Sequence, residues 1–336
     1  MAERTPAPLR GAKAFTVSKG LLTVGSATVL LFAISALLAP SSVSGTSVRS
    51  MLQIAAVLAV AGLGQMLVVQ QSGIDLSVAG GISMAVVLAT HVPDGDDGRL
   101  PLAVAVALAV AVLAGLLNGV LIGVLSLNPI IATLGTNALL YGAVLAVSGG
   151  RPRITTDLLA GLTGGRTAGV PHAVLFALAA LAVVSVLVKK TVPGRHFEAV
   201  GANPRAARAV GLRVRGHQMS AYVWAQLLYC LAGVMLAGIT AQPSAFEGDS
   251  FLLISVAVVV LGGTSLLGGR GFPLATVIAA VFLQQLVQFV VALGVSTAVQ
   301  TIVQALALAI GVSLYTVDWR ALLSRRPRRA QAAAAA

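Results

Sequence analysis

The chain has 336 residues, of which 57% are hydrophobic and only 10% charged, with a formal net charge of +12. A water-soluble domain carries about a quarter charged residues, so a soluble enzyme and a disordered chain are excluded. Cys230 is the lone cysteine, which excludes a disulfide scaffold, and a mean hydropathy of +0.96 leaves an integral membrane protein with several spans.

A bilayer core about 30 Å thick asks for roughly 20 apolar residues per helix. Interruptions by Pro, Gly and charge predict an all-α, polytopic chain with ten spans: 20–39, 50–71, 74–91, 101–124, 129–148, 170–189, 217–240, 251–267, 273–292 and 297–317. The expected layout is an N-terminal segment 1–19, one transmembrane domain 20–317 with a long loop at 190–216, and a basic, Ala-rich tail 318–336. At Gly73 and near Gly268 the chain is expected to turn within the membrane. The basic start followed by Leu21–Ala39 resembles a signal peptide. The run is too long for a secretory apolar region, and Ala39-Pro40-Ser41 is a poor cleavage site, so it reads as an uncleaved first span.

The basic residues set the orientation. With the N-terminus in the cytoplasm, inside segments hold Arg4, Arg10, Lys13 and Lys19 at the start. They also hold Lys189, Lys190, Arg195, Arg205, Arg208, Arg213 and Arg215 in the middle loop, then Arg270, then the tail from Arg320 to Arg329. Outside segments hold Arg49, Arg99, Arg151, Arg153 and Arg166. Both termini inside therefore satisfies the positive-inside rule. The high positive charge is a topology signal and predicts no nucleic-acid partner.

In chain order, the first segment of interest is Gln70 to Ser77. Asp75 is an acid flanked on both sides by apolar stretches, costly at that depth unless it meets water, a partner or free amides. Gly73 allows the helix to break, and Asp75 then caps the next helix. The competing reading makes Asp75 a proton or ion carrier, but no acid or histidine inside another span partners it. The second segment supplies Asn118, Asn128, Thr133, Thr136 and Asn137. Such small polar residues serve close packing and inter-helix hydrogen bonds, or they line a pathway for a polyhydroxylated solute.

The third segment is the loop from Pro193 to Gly216. Asn203 is a good N-cap, Pro204 suits the first helical position and Gly211 suits the exit, so a two-turn helix is expected over Pro204–Val210. It either docks on a partner or meets anionic membrane lipid. The fourth segment, Leu261 to Gly271, holds five glycines in its last ten residues, among them Gly268 and Gly269. That density excludes a continuous helix and predicts a tight turn. No Gly-Lys dipeptide occurs, so there is no Walker A loop and no cofactor site for ATP. His91, His172, His196 and His217 fall at loops or span ends, in no metal-like or triad-like pattern, so catalysis and metal binding are not expected.

Five motifs resemble those of the permease subunits of bacterial ABC sugar importers of the ribose, xylose and galactose type. They are Gly73-Ile74-Asp75-Leu76-Ser77, Gly115-Leu116-Leu117-Asn118-Gly119, Ile131-Ala132-Thr133-Leu134-Gly135-Thr136, Gly201 to Arg208, and Leu261 to Gly271, in the family's order and spacing. The resemblance runs from about Gly62 to Leu314. It implies a transport subunit of the bacterial cytoplasmic membrane, paired with an identical or related permease. It further implies two ATPase subunits or one tandem ATPase carrying ATP and Mg, and a periplasmic or lipid-anchored binding protein. In that family a short coupling helix seats on the ATPase; here the matching positions are Asn203, Pro204, Arg205, Ala206, Ala207, Arg208 and Gly211. One departure is Tyr141, where the family often carries a basic residue before the glycine. The alternatives are an ABC permease for a nucleoside, inositol, an autoinducer sugar or a branched-chain amino acid, and an ion-coupled secondary transporter.

Overall fold

The computed structural model describes residues 19–296, 298–299, 301–303 and 305–306. The segment 1–18, the tail 318–336 and most of the predicted span 297–317 lie outside the described residues, together with the basic residues placed there.

The chain is built of helices α1 (Lys19–Leu38), α2 (Gly45–Gln70), α3 (Val78–His91), α4 (Leu100–Gly123), α5 (Pro129–Ser148), the single turn α6 (Asp157–Leu159), α7 (His172–Lys190), α8 (Val192–Ala202), α9 (Pro204–Ala209), α10 (Val214–Ile239), α11 (Leu252–Leu261) and α12 (Pro273–Ala292). One two-residue hairpin, Arg166–Thr167 with Val170–Pro171, precedes α7. Local chemistry sets several starts. Ser44 accepts from the Ser47 amide, Asn128 from Ile130 and Thr191 from Gly194, each satisfying an amide that the helix leaves open.

Among the described residues, seven helices are long and apolar enough to cross a membrane. Two predicted spans are shorter. At 1.5 Å per residue, α3 with its 14 residues covers about 21 Å and α11 with its 10 residues about 15 Å. The rest of each crossing is non-helical chain: residues 71–77 ahead of α3, and the loop and 3-10 turn Glu247–Phe251 ahead of α11. Such backbone is tolerated at membrane depth only where protein or water covers it.

The centre of the bundle is α2, buried from Ala55 to Gln70 and packed against α10, α12, α7 and α11. Around it, α10 also packs on α4 and α3, α3 on α5, and α12 on α1. α4 buries a stripe of small residues, Ala103, Ala107, Ala111, Gly115, Gly119 and Gly123, and the glycines of that stripe meet α10. A Cβ at Gly115 would stand 2.6 Å from Val223 Cα, and one at Gly119 3.0 Å from Met219 Cα. The backbones touch there, as small-residue membrane interfaces allow. The remaining faces of α1, α4, α5 and α7 carry exposed Leu, Val and Ile.

The loops gather at two ends. At one, Gln71 Nε2 donates to Phe197 O at 2.9 Å and Ser72 Oγ to Leu267 O at 2.8 Å, joining the end of α2, the α7–α10 connection and the Gly-rich turn. At the other, Gln53 Nε2 donates to Gly164 O at 3.1 Å, Thr155 N to Ala241 O at 3.2 Å, and Arg153 pairs with Asp94.

Candidate translocation and coupling sites

Several polar residues of the spans meet in one buried network, and its hub is Ser77. The Ser77 hydroxyl donates to Asp75 Oδ1 and accepts from Asn118 Nδ2 at 2.9 Å and Gln226 Nε2 at 2.7 Å. One donor and two lone pairs are thus all used. Asn118 Oδ1 in turn accepts from Thr136 Oγ1 at 2.6 Å. Thr133 Oγ1 accepts from the Leu76 amide at 3.0 Å, and Asn137 Oδ1 from the Gly80 amide at 2.7 Å. From α2, the Gln65 amide meets the Asp75 backbone N–H and C=O, each at 3.1 Å in the orientation that satisfies both. Tyr229 hydroxyl lies 2.7 Å from Gln65 as well. The network ties α2, α4, α5 and α10 to the extended entry of α3.

This geometry relocates the predicted site residues. Asn118, Thr133 and Thr136 are buried and spend their polar atoms on neighbouring elements. Asn137 is half-buried, and Asn128 is an exposed N-cap at the start of α5. Asp75 does not cap α3 as expected. The helix starts at Val78 with Ser77 at the cap position, and Asp75 Oδ1 instead closes a turn on the Ser77 amide at 2.9 Å. Asp75 has no exposed surface, and among the described residues no ion pair reaches it. Gly73 does not supply the break either. Ser72 takes the left-handed conformation, φ +61°, while a Cβ at Gly73 would stand 2.5 Å from Tyr222 Oη. Gly73 instead leaves room for the buried Tyr222 hydroxyl and Val68. Gly268 and Gly269 do turn the chain, with φ of +88° and +102°.

The connection between α7 and α10 is more ordered than a loop with one helix. Its first half, expected as loop, is the 11-residue α8, opened by Thr191 and Pro193. After Asn203, whose Oδ1 accepts from Ala206 N at 3.0 Å, α9 runs to Ala209 and exits through Gly211 at φ +84°. Ala207, one of the positions matching the family's coupling helix, is not on its outward face: only 4% exposed, it faces inward and packs with Val200 and Val214. Arg205, Ala206, Arg208 and Ala209 face outward, joined by Val210, which is 76% exposed. The connection is anchored where Gly201 meets α2. A Cβ at Gly201 would stand 2.0 Å from Gln70 O, and one at Gly268 would stand 2.7 Å from Gly201 O. Gly269 N donates to that same Gln70 carbonyl at 3.0 Å.

Two further features complete the picture. A cavity of about 670 Å³ opens between α7, α8 and α10, walled mainly by apolar residues such as Val183, Leu187, Trp224 and Leu228; none of the five polar candidates lines it. Tyr141, at the departure noted in the sequence, donates to the Asp249 carboxylate and meets the Phe246 ring edge-on, with centroids 5.2 Å apart. Sequence reasoning missed Gln65, Gln226, Val210 and Asp249. Gln65 and Gln226 carried a usable signal, each being an amide inside an apolar span.

Residues 47–312 match the family described as branched-chain amino acid transport system / permease component. The chain is 32% identical to the probable ABC transporter permease protein y4mJ of Sinorhizobium fredii over 265 residues, 78% of this chain and 79% of that one. It is 34% identical to the ribose import permease protein RbsC of Bacillus subtilis, over 76% of this chain and 80% of that one. The ribose import permease RbsC of Escherichia coli is 33% identical over 76% and 81%. No solved structure matches significantly. The match covers both the buried network and the anchored α8–α9 connection, and the chain belongs to this family of transport-system permease components.

Proposed function

We propose that the chain is the membrane permease of an ABC importer that carries a monosaccharide inward, driven by ATP hydrolysis on partner subunits. The relatives named as ribose import permeases support the solute class. The observation that carries the coupling is α9: a capped helix with an outward face of Arg205, Arg208, Ala209 and Val210, standing on an anchor of Gly201, Gln70 and Gly268. A push on α9 reaches α2 through touching backbone. In this reading the end carrying α8 and α9 is cytoplasmic, since Lys189, Lys190, Arg195, Arg205, Arg208, Arg213, Arg215 and Arg270 lie there. A second permease chain, ATPases below and a binding protein above complete the assembly.

The deciding experiment reconstitutes the permease with its ATPase and binding protein in proteoliposomes and follows ATP-dependent uptake of labelled ribose, xylose and galactose. Uptake of one of them supports the reading, and uptake of a branched-chain amino acid alone refutes the solute class. The single-cysteine variant Ala202→Cys, made with Cys230→Ala, should react with an impermeant thiol reagent only from the cytoplasmic side.

A further inference from the structure

A carboxylate exposed at membrane depth marks water. Tyr141 is the thirteenth of twenty residues in α5, so it lies about 10 Å along the helix from Ser148 and about 18 Å from Pro129. Asp249 is at the same level by an independent measure. Gly248 N donates to Ser83 Oγ at 3.0 Å, and Ser83 precedes His91 by eight residues, about 12 Å along α3. Asp249 is exposed there, and hydrocarbon does not accept an exposed carboxylate. The face of α5 around the pair is open: nothing lies within 4 Å of a Cβ at Gly142 or Gly135. One turn towards the α8–α9 end, Asn137 is half-buried, and its Nδ2 makes no hydrogen bond among the described residues.

We propose that Tyr141, Phe246 and Asp249, with the Asn137 amide below them, form a contact point for a ring-shaped, polyhydroxylated solute in the half of the pathway away from α8 and α9. The chemistry fits each group. A carboxylate accepts from vicinal hydroxyls, a phenol both donates and accepts, and an amide N–H₂ donates. The phenyl ring of Phe246 offers its apolar face to the C–H side of a sugar. The contact is shallow and open, which suits a solute that must leave again. It meets the Ser77 network only through Asn137, whose Oδ1 holds the Gly80 amide while its Nδ2 stays open; Asp75, Ser77, Asn118 and Gln226 are sealed. This proposal rests on the monosaccharide reading and names where that solute touches the chain.

The test uses Tyr141→Phe and Asp249→Asn in the reconstituted transporter, with a parent sugar and a series of its deoxy analogues. Comparing variant with wild type for each sugar cancels the binding protein's own preference. The expected result is loss of preference for the parent over one deoxy analogue by about threefold to tenfold, the size of one hydrogen bond. Stimulation of ATP hydrolysis by loaded binding protein should persist. A merely structural role lowers uptake of every sugar in the same proportion. That outcome, or no change with any sugar, or a change in permease dimerisation instead, overturns the proposal. If the wild-type protein moves no monosaccharide while it moves another solute, the functional reading itself fails and the contact falls with it.

Discussion

Removing one oxygen atom should loosen three segments at once, the entry of α3, α4 and α10. Ser77→Ala deletes the hydroxyl that bonds Asp75 Oδ1, Asn118 Nδ2 and Gln226 Nε2. Asp75 Oδ1 keeps the Ser77 amide and Asn118 Oδ1 keeps Thr136, so the loss falls on two buried donors. Helix–helix hydrogen bonds in membranes average about 0.6 kcal/mol and reach about 1.7, which puts the three lost bonds near 2 kcal/mol. Two donors stranded without water raise the cost, each by roughly 1 kcal/mol at the low end for an unsatisfied buried group. The variant should therefore lose about 2–4 kcal/mol, lowering the midpoint of thermal unfolding in detergent by roughly 4–8 °C for a chain this long. Ser250→Ala, an exposed hydroxyl bonded only to Glu247 O, is the control and should not shift. A double-mutant cycle with Gln226→Leu isolates one arm of the hub. If Ser77→Ala unfolds within about a degree of wild type, a shift below half a kcal/mol, the network is not a structural tie.

Val210→Glu should weaken ATPase association by about tenfold or more, since burying a valine side chain is worth about 1.5 kcal/mol or more; co-purification and uptake report it, and wild-type levels of both would remove α9 as the docking element. Ala207→Glu should also fail, but by unseating α9 from Val200 and Val214, read as faster proteolysis of the α8–α9 connection even without ATPase. Gly201→Ala should insert normally yet lose most uptake, because its Cβ collides with Gln70 O; full uptake would mean that the anchor is dispensable. Asp75→Asn should keep uptake and lose less than about 1 kcal/mol, because an amide oxygen accepts both Ser77 bonds and Asp75 Oδ2, buried without a partner, gives up no hydrogen bond; abolished uptake in a stable variant would favour the carrier reading.

Much of the architecture was legible because short-range rules governed it. The ends of α4, α5 and α12 follow from apolar runs closed by Pro and Gly, and Asn203 and Gly211 act locally on backbone groups within three residues. What was hidden depended on tertiary contact. Alanines surround α9 on all sides, so no apolar periodicity says that Ala207 turns inward while Val210 turns out. Pro193, Gly194 and Gly201 read as loop, yet Pro193 opens α8 and the glycines are there for close approach to α7 and α2. Asn118 and Thr136 were recognisable as polar residues facing something, but only the fold reveals that Thr136 faces Asn118 and Asn118 faces Ser77. The four-residue spacing of small residues along α4 stands in the sequence, but its partner, α10, is set by the fold.

The meeting of Gly201, Gly268 and the Gln70 carbonyl has a mechanical meaning. Side chains act as cushions: their rotamers absorb small displacements before a backbone must follow. Here the three segments bear on one another main chain to main chain, with no cushion between them. A joint of that kind has almost no play. A displacement of α8 at Gly201 would meet the most enclosed helix of the bundle main chain to main chain, and protein surrounds α2 on its sides. The joint therefore behaves as a stiff linkage, in which even a sub-ångström input must be passed on rather than dissipated.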